Sequence, residues 1–311
     1  MSRIPSLAGA VQCYLNSRRQ LGFTFKNEQW ALTGLVRYAK RIGHRGPLTC
    51  SLAVGWAQRS SQAGPPQWAA RLNMVRRFAR FWRAFDARTE IPPQGLFGPG
   101  HRRRPVHIYT AQEIRALLEA TAVLGPSDQL RAASMRTLLA CTGLRVGEAL
   151  RLNRQDLDWH NGVLTVRQSK SGYQRLIPVQ SSTLAALRAY EAIRKKILPA
   201  ASSSDAFFLS STGQRLPYGT VRDSFLCLRR HLGWAQRPVP RLHGLRHTFA
   251  VRCLLGWYQR QQSIGHHMLT LSTYLGHRQV TDTYWYLSAV PELMALVSSR
   301  FQTSARLAHH D

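Results

Sequence analysis

Thr142-Gly143-Leu144-Arg145-Val146-Gly147-Glu148-Ala149-Leu150 is a stretch in which one helix must stop and another begin. Gly143 follows the apolar helical run Leu130 to Cys141 and can take the left-handed conformation that ends a helix. A new helix then starts at Arg145, beside free backbone amides that favour an anion. Glu148, three residues on, shares the helix face and can hold the guanidinium in place. An ordinary surface pair would have the same spacing, but a buried helix leading into it is the scaffold on which an arginine can be held in position.

Working outward, three further segments carry residues of the same kind. Two short alternating apolar runs, Val163 to Ser169 and Arg175 to Val179, flank the polar turn Lys170-Ser171-Gly172-Tyr173-Gln174 and read as a hairpin. Lys170 at its bend is either a solvated turn residue or an ammonium carried into a groove. The local sequence leaves both open, and Arg175 is the other basic residue close by. In His243-Gly244-Leu245-Arg246-His247, His243 and Arg246 are one helical turn apart and can face one phosphate. The His243/His247 spacing would also suit zinc. However, Gly244 stands where the zinc motif needs glutamate and no third ligand is suggested nearby, so the expected metal set is none. His247 reads as a packing or supporting residue. Finally, His277 follows Leu275-Gly276, and Thr283-Tyr284-Trp285-Tyr286-Leu287 offers two phenols on different faces of a helix. Taken together these residues supply the charge neutralisation, nucleophile and acid that a phosphodiester requires.

The order and spacing resemble the tyrosine recombinase family, the phage-integrase-like enzymes, over about Tyr109 to Ala305. Four motifs carry the resemblance: T-G-L-R-x-x-E, the hairpin lysine, H-x-L-R-H, and L-G-H followed nine residues on by tyrosine. It implies a site-specific recombinase in which Tyr286, selected over a structural Tyr284, attacks the scissile phosphate and forms a 3′-phosphotyrosyl link. Lys170 would protonate the departing 5′-oxygen, while Arg145, Arg246, His243 and His277 stabilise the transition state, supported by Glu148 and His247. No cofactor is implied. The implied partner is double-stranded DNA at specific sites, with the protein a homotetramer in the synaptic complex and a monomer or dimer when free. The event would be integration, excision or transposition of a mobile element. Two alternatives share these residues: a type IB topoisomerase-like nicking and resealing enzyme, and a non-catalytic DNA-binding protein on the same scaffold. The segment Trp257 to Leu271, with Arg260-Gln261-Gln262 and His266-His267, is longer and more polar than the family's usual connection.

Composition points the same way. The 311 residues hold 43 Lys plus Arg against 15 Asp plus Glu, a net charge of +28, and a polyanion is the natural counterpart of such self-repulsion. With 44% hydrophobic residues the chain can build real cores and is not a basic tail. Five separated cysteines without a C-x-x-C pair indicate neither a zinc ribbon nor a disulfide framework, and Cys141 and Cys253 read as packing residues. No leader-like start and no bilayer-length apolar run is present, so a cytoplasmic, nucleoid-associated location without membrane contact is the expectation.

The expected fold is mostly α, with a small β-hairpin in the catalytic part, forming a clamp round DNA. Residues 1–88 read as a helical DNA-binding domain with helices over Leu7 to Leu21, Asn27 to Ile42, from Cys50 after a Thr49 cap, and after Pro65-Pro66. In the last of these Trp68, Leu72, Val75, Phe78 and Trp82 form the apolar stripe, and Arg71, Arg76 and Arg77 between them are candidate backbone contacts. Residues 89–106 read as a Pro/Gly-rich linker carrying Arg102, Arg103 and Arg104. Residues 107–311 form the catalytic domain, opened by a capping box at Thr110-Ala111-Gln112-Glu113, with a helix from Ser181-Ser182 to about Lys196 and a further strand at Ala206 to Leu209.

Overall fold

Ser6 and Thr49 each start a helix by accepting a hydrogen bond from the backbone three residues on, Ser6 from Gly9 at 3.3 Å and Thr49 from Leu52 at 3.2 Å. In this computed structural model, residues 6–22, 26–60, 62–98, 105–167, 174–197 and 204–288 are described. The chain divides into two units, Met1–Arg104 and Pro105–Asp311.

The first unit is built from α1 (Leu7–Gln20), α2 (Lys26–Arg41), α3 (Cys50–Gln58) and α4 (Pro65–Trp82). Pro65 and Pro66 were expected ahead of α4 but form its first turn, where a missing N–H costs no hydrogen bond. Leu32, Leu35, Trp56, Leu72, Val75, Phe78 and Trp82 meet in one core. Each such side chain contributes roughly 1.5–3 kcal/mol by leaving water. Glu28 lies within this apolar surround, held by the Tyr14 hydroxyl at 3.1 Å and Arg77 Nε at 3.0 Å.

The expected linker over 89–106 is, in its first half, part of this helical unit. Thr89 is buried, Ile91 and Phe97 lie against the core, and Phe97 packs edge-on against Trp68 at 5.5 Å. The Cys50 amide donates to Glu90 at 2.6 Å. Prolines and glycines here shape a packed strap, because two apolar side chains anchor it. Arg102, Arg103 and Arg104 lie outside the described residues.

The second unit opens with α5 (Ala111–Glu119), where Thr110 and Glu113 exchange hydrogen bonds at 3.1 and 2.8 Å as the capping box requires. Next come α6 (Pro126–Thr142), α7 (Val146–Arg151) and an antiparallel sheet in the order β1 (Leu157–Asp158), β2 (Val163–Val166), β3 (Arg175–Pro178). Leu164 pairs with Ile177, and both side chains face the core. The expected strand at Ala206 to Leu209 is reduced to two isolated pairings, Asn153 with Ala206 and Leu209 with Arg215. Carbonyls that would serve a strand partner instead accept from buried Arg194, at 2.9 Å for Ala206 and 3.2 Å for Phe207.

Helix α8 (Ser181–Ile197) packs on α6, α9 (Tyr218–His231) follows, and α10 (Gly244–Gln259), α11 (Ile264–Leu275) and α12 (Thr281–Ser288) form a second core of Ala250, Leu254, Met268, Leu271, Leu275 and Tyr286. The polar segment Trp257 to Leu271 resolves into the end of α10, a turn with Gln261 at φ 61°, and the start of α11. His267 stacks on Trp257 there at 4.8 Å. Cys253 is partly buried as expected, but Cys141 is exposed, since it falls on the outer side of α6.

Candidate active site

Gly143 makes the turn on which the site depends. Its φ of 60° is left-handed, and a Cβ at this position would sit 2.5 Å from the Phe249 ring of α10. The turn places Arg145 at the N-terminal boundary of α7, where Glu148 reaches back. The Arg145 amide donates to Glu148 Oε2 at 3.0 Å, and Arg145 Nη1 donates to Oε1 at 2.8 Å. Burial pushes the Glu148 carboxyl upward, but hydrogen bonds and charge from Arg175, then Arg145, bring it below its usual value. Glu148 is therefore an anion inside the protein.

Helix α11 ends against this pair. Its last carbonyls are unpaired within the helix and carry the negative end of its dipole. Arg145 donates to Leu275 O at 3.4 Å and Gly276 O at 3.1 Å. Arg246, buried on α10, donates to Leu275 O at 2.8 Å and to Gly143 O at 2.7 Å. Burial and the nearby Arg145 charge lower the Arg246 pKa to about 10, so the group stays cationic at neutral pH.

His277 follows directly. Its Nε2 lies 3.0 Å from Arg246 Nη2, and its Nδ1 lies 2.7 Å from Thr283 Oγ1 on α12. Burial, then Arg246 and Arg145, depress its pKa to about 4, leaving the ring neutral. The Tyr286 ring stacks on His277 at 6.0 Å and meets His247 edge-on at 5.3 Å. Burial raises the Tyr286 pKa, while the charge and hydrogen bond of Arg246, and then the charge of Arg145, oppose that rise. Tyr286 is 3% exposed and Tyr284 50% exposed, so Tyr284 is a surface residue, contrary to the structural role expected for it. Trp285, grouped with it, does pack, against His247 at 4.9 Å.

His243 stands at the N-terminal boundary of α10 with its ring edge-on to His247 at 4.8 Å. Burial and the charges of Arg246 and Arg145 lower its pKa to about 4, and its residue surface remains open. His247 is more enclosed, its Nδ1 has no partner among the described residues, and burial with three neighbouring basic side chains lowers its pKa to about 3. The structure thus gathers Arg145, Glu148, His243, Arg246, His247, His277 and Tyr286. Lys170 lies outside the described residues.

Arg175 is the member that sequence reading passed over. Its Nη2 donates to Glu148 Oε2 at 2.8 Å, its Nη1 to Oε1 at 3.3 Å, and its Nε to Tyr274 O at 2.8 Å. The signal available was its position as the second basic residue of the hairpin. Nothing local pointed it at a glutamate 27 residues away.

The candidate backbone arginines fare unequally. Arg76 is buried, with its Nε on Pro92 O at 2.7 Å and further bonds to Pro93 O and Asn73, so it ties α4 to the strap and is removed from the DNA-contact set. Arg77 is half exposed but paired with Glu28. Arg71 donates to Ala57 O at 3.1 Å and lines a cavity of about 420 Å³ with Arg37, Arg41, Arg59, Trp30 and Trp56. The stripe Trp30, Gly34, Arg37, Arg41 along α2 has helical spacing, and reading it that way would have found this face.

Residues 108–292 match the Phage integrase family. The chain is 38% identical over 305 residues to the integrase/recombinase y4rB of Sinorhizobium fredii, covering 94% of this chain and 96% of that one. It is 29% identical over 233 residues to the tyrosine recombinase XerD of Bifidobacterium longum, covering 73% and 72%. Among solved structures, the Tn1549 transposon integrase in complex with transposon right end DNA superposes with a TM-score of 0.68 at 19% identity, covering 94% of this chain and 98% of that one. XerH recombinase bound to its difH substrate gives 0.65 at 15% identity, covering 88% and 78%.

Proposed function

Because the chain belongs to the phage integrase family of tyrosine recombinases, we propose that this site cuts and rejoins DNA strands with Tyr286 as nucleophile. The protein is a site-specific DNA recombinase, and the observation that carries the assignment of roles is the convergence of Arg145, Arg246, His277 and Tyr286 on one spot. The Tyr286 oxygen attacks the scissile phosphorus, its proton passes to solvent, and the bond to the 5′-oxygen breaks. The leaving oxygen takes a proton from Lys170. The enzyme is then joined to the DNA 3′-phosphate, and a 5′-hydroxyl reverses the step without ATP. In the free protein the arginines rest on the carbonyls of Leu275 and Gly276. A phosphate oxygen, carrying formal charge, competes well against these partial charges. Charge builds on the equatorial oxygens in the transition state, where fixed guanidiniums act most strongly.

Duplex DNA is the substrate, specific sites are its form, and a tetramer on two duplexes carries out the exchange. Arg71, with Arg37, Arg41 and Arg59, contacts the backbone, and Arg77 and Arg102 to Arg104 add to that contact. The test is a tiled set of nicked duplexes covering the DNA that flanks the gene. A nick lets the short fragment bearing the released 5′-hydroxyl diffuse away, so a covalent adduct accumulates. Digestion should leave the nucleotide on Tyr286. An adduct mapped to another residue, or hydrolysis without any adduct, would overturn the reading.

A further inference from the structure

We propose that Arg175 is a positioning residue for strand cleavage, the second cation that neutralises Glu148 and so leaves the charge of Arg145 available to the phosphate. The proposal rests on Arg145 acting on the scissile phosphate. Glu148, whose side chain is fully enclosed, accepts four hydrogen bonds from two arginines, two from Arg145 and two from Arg175. A lone Arg145–Glu148 pair would have no net charge. It would present a phosphate with little more than a dipole, and the carboxylate would compete with the phosphate for the guanidinium. With Arg175 added the group is Arg–Glu–Arg, with one net positive charge. Arg175 meets Glu148 end-on with Nη1 and Nη2, a bidentate geometry in which the guanidinium fork matches the carboxylate.

Arg175 itself is turned inward in this arrangement: each of its three nitrogens already donates to the protein and its side chain is 10% exposed. Its Nε bond to Tyr274 O also fastens β3 to the last turn of α11, just before the Leu275 and Gly276 carbonyls that Arg145 meets. Gly276 shows how closely the parts fit. Besides its φ of +68°, a Cβ there would lie 2.8 Å from Arg175 Nη1. The glycine before His277 is thus the gap through which Arg175 reaches Glu148.

The experiment uses the full chain and the nicked duplex that traps the adduct, with single-turnover cleavage, duplex affinity and thermal midpoint measured for each variant. Arg175→Met should cut about a hundredfold more slowly, the scale on which small misplacements act, with affinity little changed. Arg175→Lys, which keeps the charge but cannot bond in two-pronged fashion, should fall between. The decisive variant is Arg175→Met with Glu148→Gln. Removing the uncompensated carboxylate frees Arg145 again, so the double variant should cut at least tenfold faster than Arg175→Met alone. A merely structural arginine predicts the reverse, a double variant as slow or slower, and that result would overturn the proposal. If Arg175→Met does not fold, Arg175→Lys decides: wild-type cleavage by a folded Arg175→Lys sinks the idea. Arg145→Ala run alongside separates the two levels. No rate loss there removes the reading of Arg145, whereas loss there without loss in Arg175→Met removes this proposal alone.

Discussion

Arg246 Nη2 approaches His277 Nε2 at 3.0 Å, and that contact determines the tautomer of the histidine. A guanidinium only donates, so Nε2 must accept and carry no proton. The hydrogen therefore sits on Nδ1 and is given to Thr283 Oγ1 at 2.7 Å. Thr283 is fully buried on α12, one turn before Tyr286. A single chain of bonds runs from Arg246 through His277 to the helix that carries Tyr286. To donate from Nε2 to a phosphate, His277 must both gain a proton there and release Arg246.

Tyr286→Phe should abolish the covalent adduct while duplex affinity stays within about twofold, since no charge contact is lost. Loss of the Arg246 hydrogen bond should lower stability by about 1 kcal/mol. Tyr284→Phe, altering an exposed residue, should still form the adduct. Denaturing gels of both variants read the outcome, and an adduct that survives in Tyr286→Phe but not in Tyr284→Phe would reverse the assignment.

Arg145→Ala and Arg246→Ala should lose far more rate than affinity. Removing a donor aimed at transition-state charge costs roughly 3–4 kcal/mol of barrier, or a hundred- to thousandfold in rate. One fewer phosphate contact changes the salt slope by only about one unit. Arg246→Ala also strands the carbonyl of Gly143 and leaves that of Leu275 only the longer bond from Arg145, lowering stability by about 1–3 kcal/mol. Its cleavage is therefore compared well below its Tm. Arg154→Ala is the control: it removes a half-exposed pair with Glu191 and should change stability by less than about 1 kcal/mol. Equal losses of binding and rate in all three would reduce Arg145 and Arg246 to general electrostatics.

Acid should weaken the fold through the site histidines. His277 and His247 titrate near about 4 and about 3 when folded, against 6.5 for a free imidazole. Between those values the unfolded chain binds more protons than the folded one. Their contribution is complete above pH 6.5 and is lost as pH falls towards 4. The Tm of the wild type should drop across that window. His247→Phe, which keeps a ring but cannot charge, should show a shallower drop. Identical slopes would show that His247 is not held neutral by the fold.

Gly143→Ala should destabilise by roughly 3 kcal/mol or more, combining a left-handed backbone with a clash at Phe249. Gly147→Ala, inside α7 with Arg151 at 3.7 Å as its nearest neighbour among the described residues, should stabilise by about 0.5–1 kcal/mol. Equilibrium denaturation of the two variants tests the contrast, and similar effects would mean the Gly143 turn is not under this constraint.

What the sequence by itself determined is local. The helix stop at Gly143, the Glu148 that reaches back to Arg145, the Thr49 cap, the Thr110–Glu113 box and the apolar stripe of α4 depend on neighbours within a turn or two. Spacing along the chain carries that information. The candidate site residues were legible for the same reason, since each sits in a short motif with its own start or stop signal. What only the tertiary structure decided is where long side chains end. Arg175 reaches Glu148, Arg76 the carbonyls of Pro92 and Pro93, and Arg194 those of Ala206 and Phe207. A guanidinium on a flexible stem can meet an acceptor many residues away or stay in water, and its neighbours in sequence are the same in either case. Packing of separate elements made that choice, turning one expected DNA contact into a strap anchor and a hairpin arginine into part of the site.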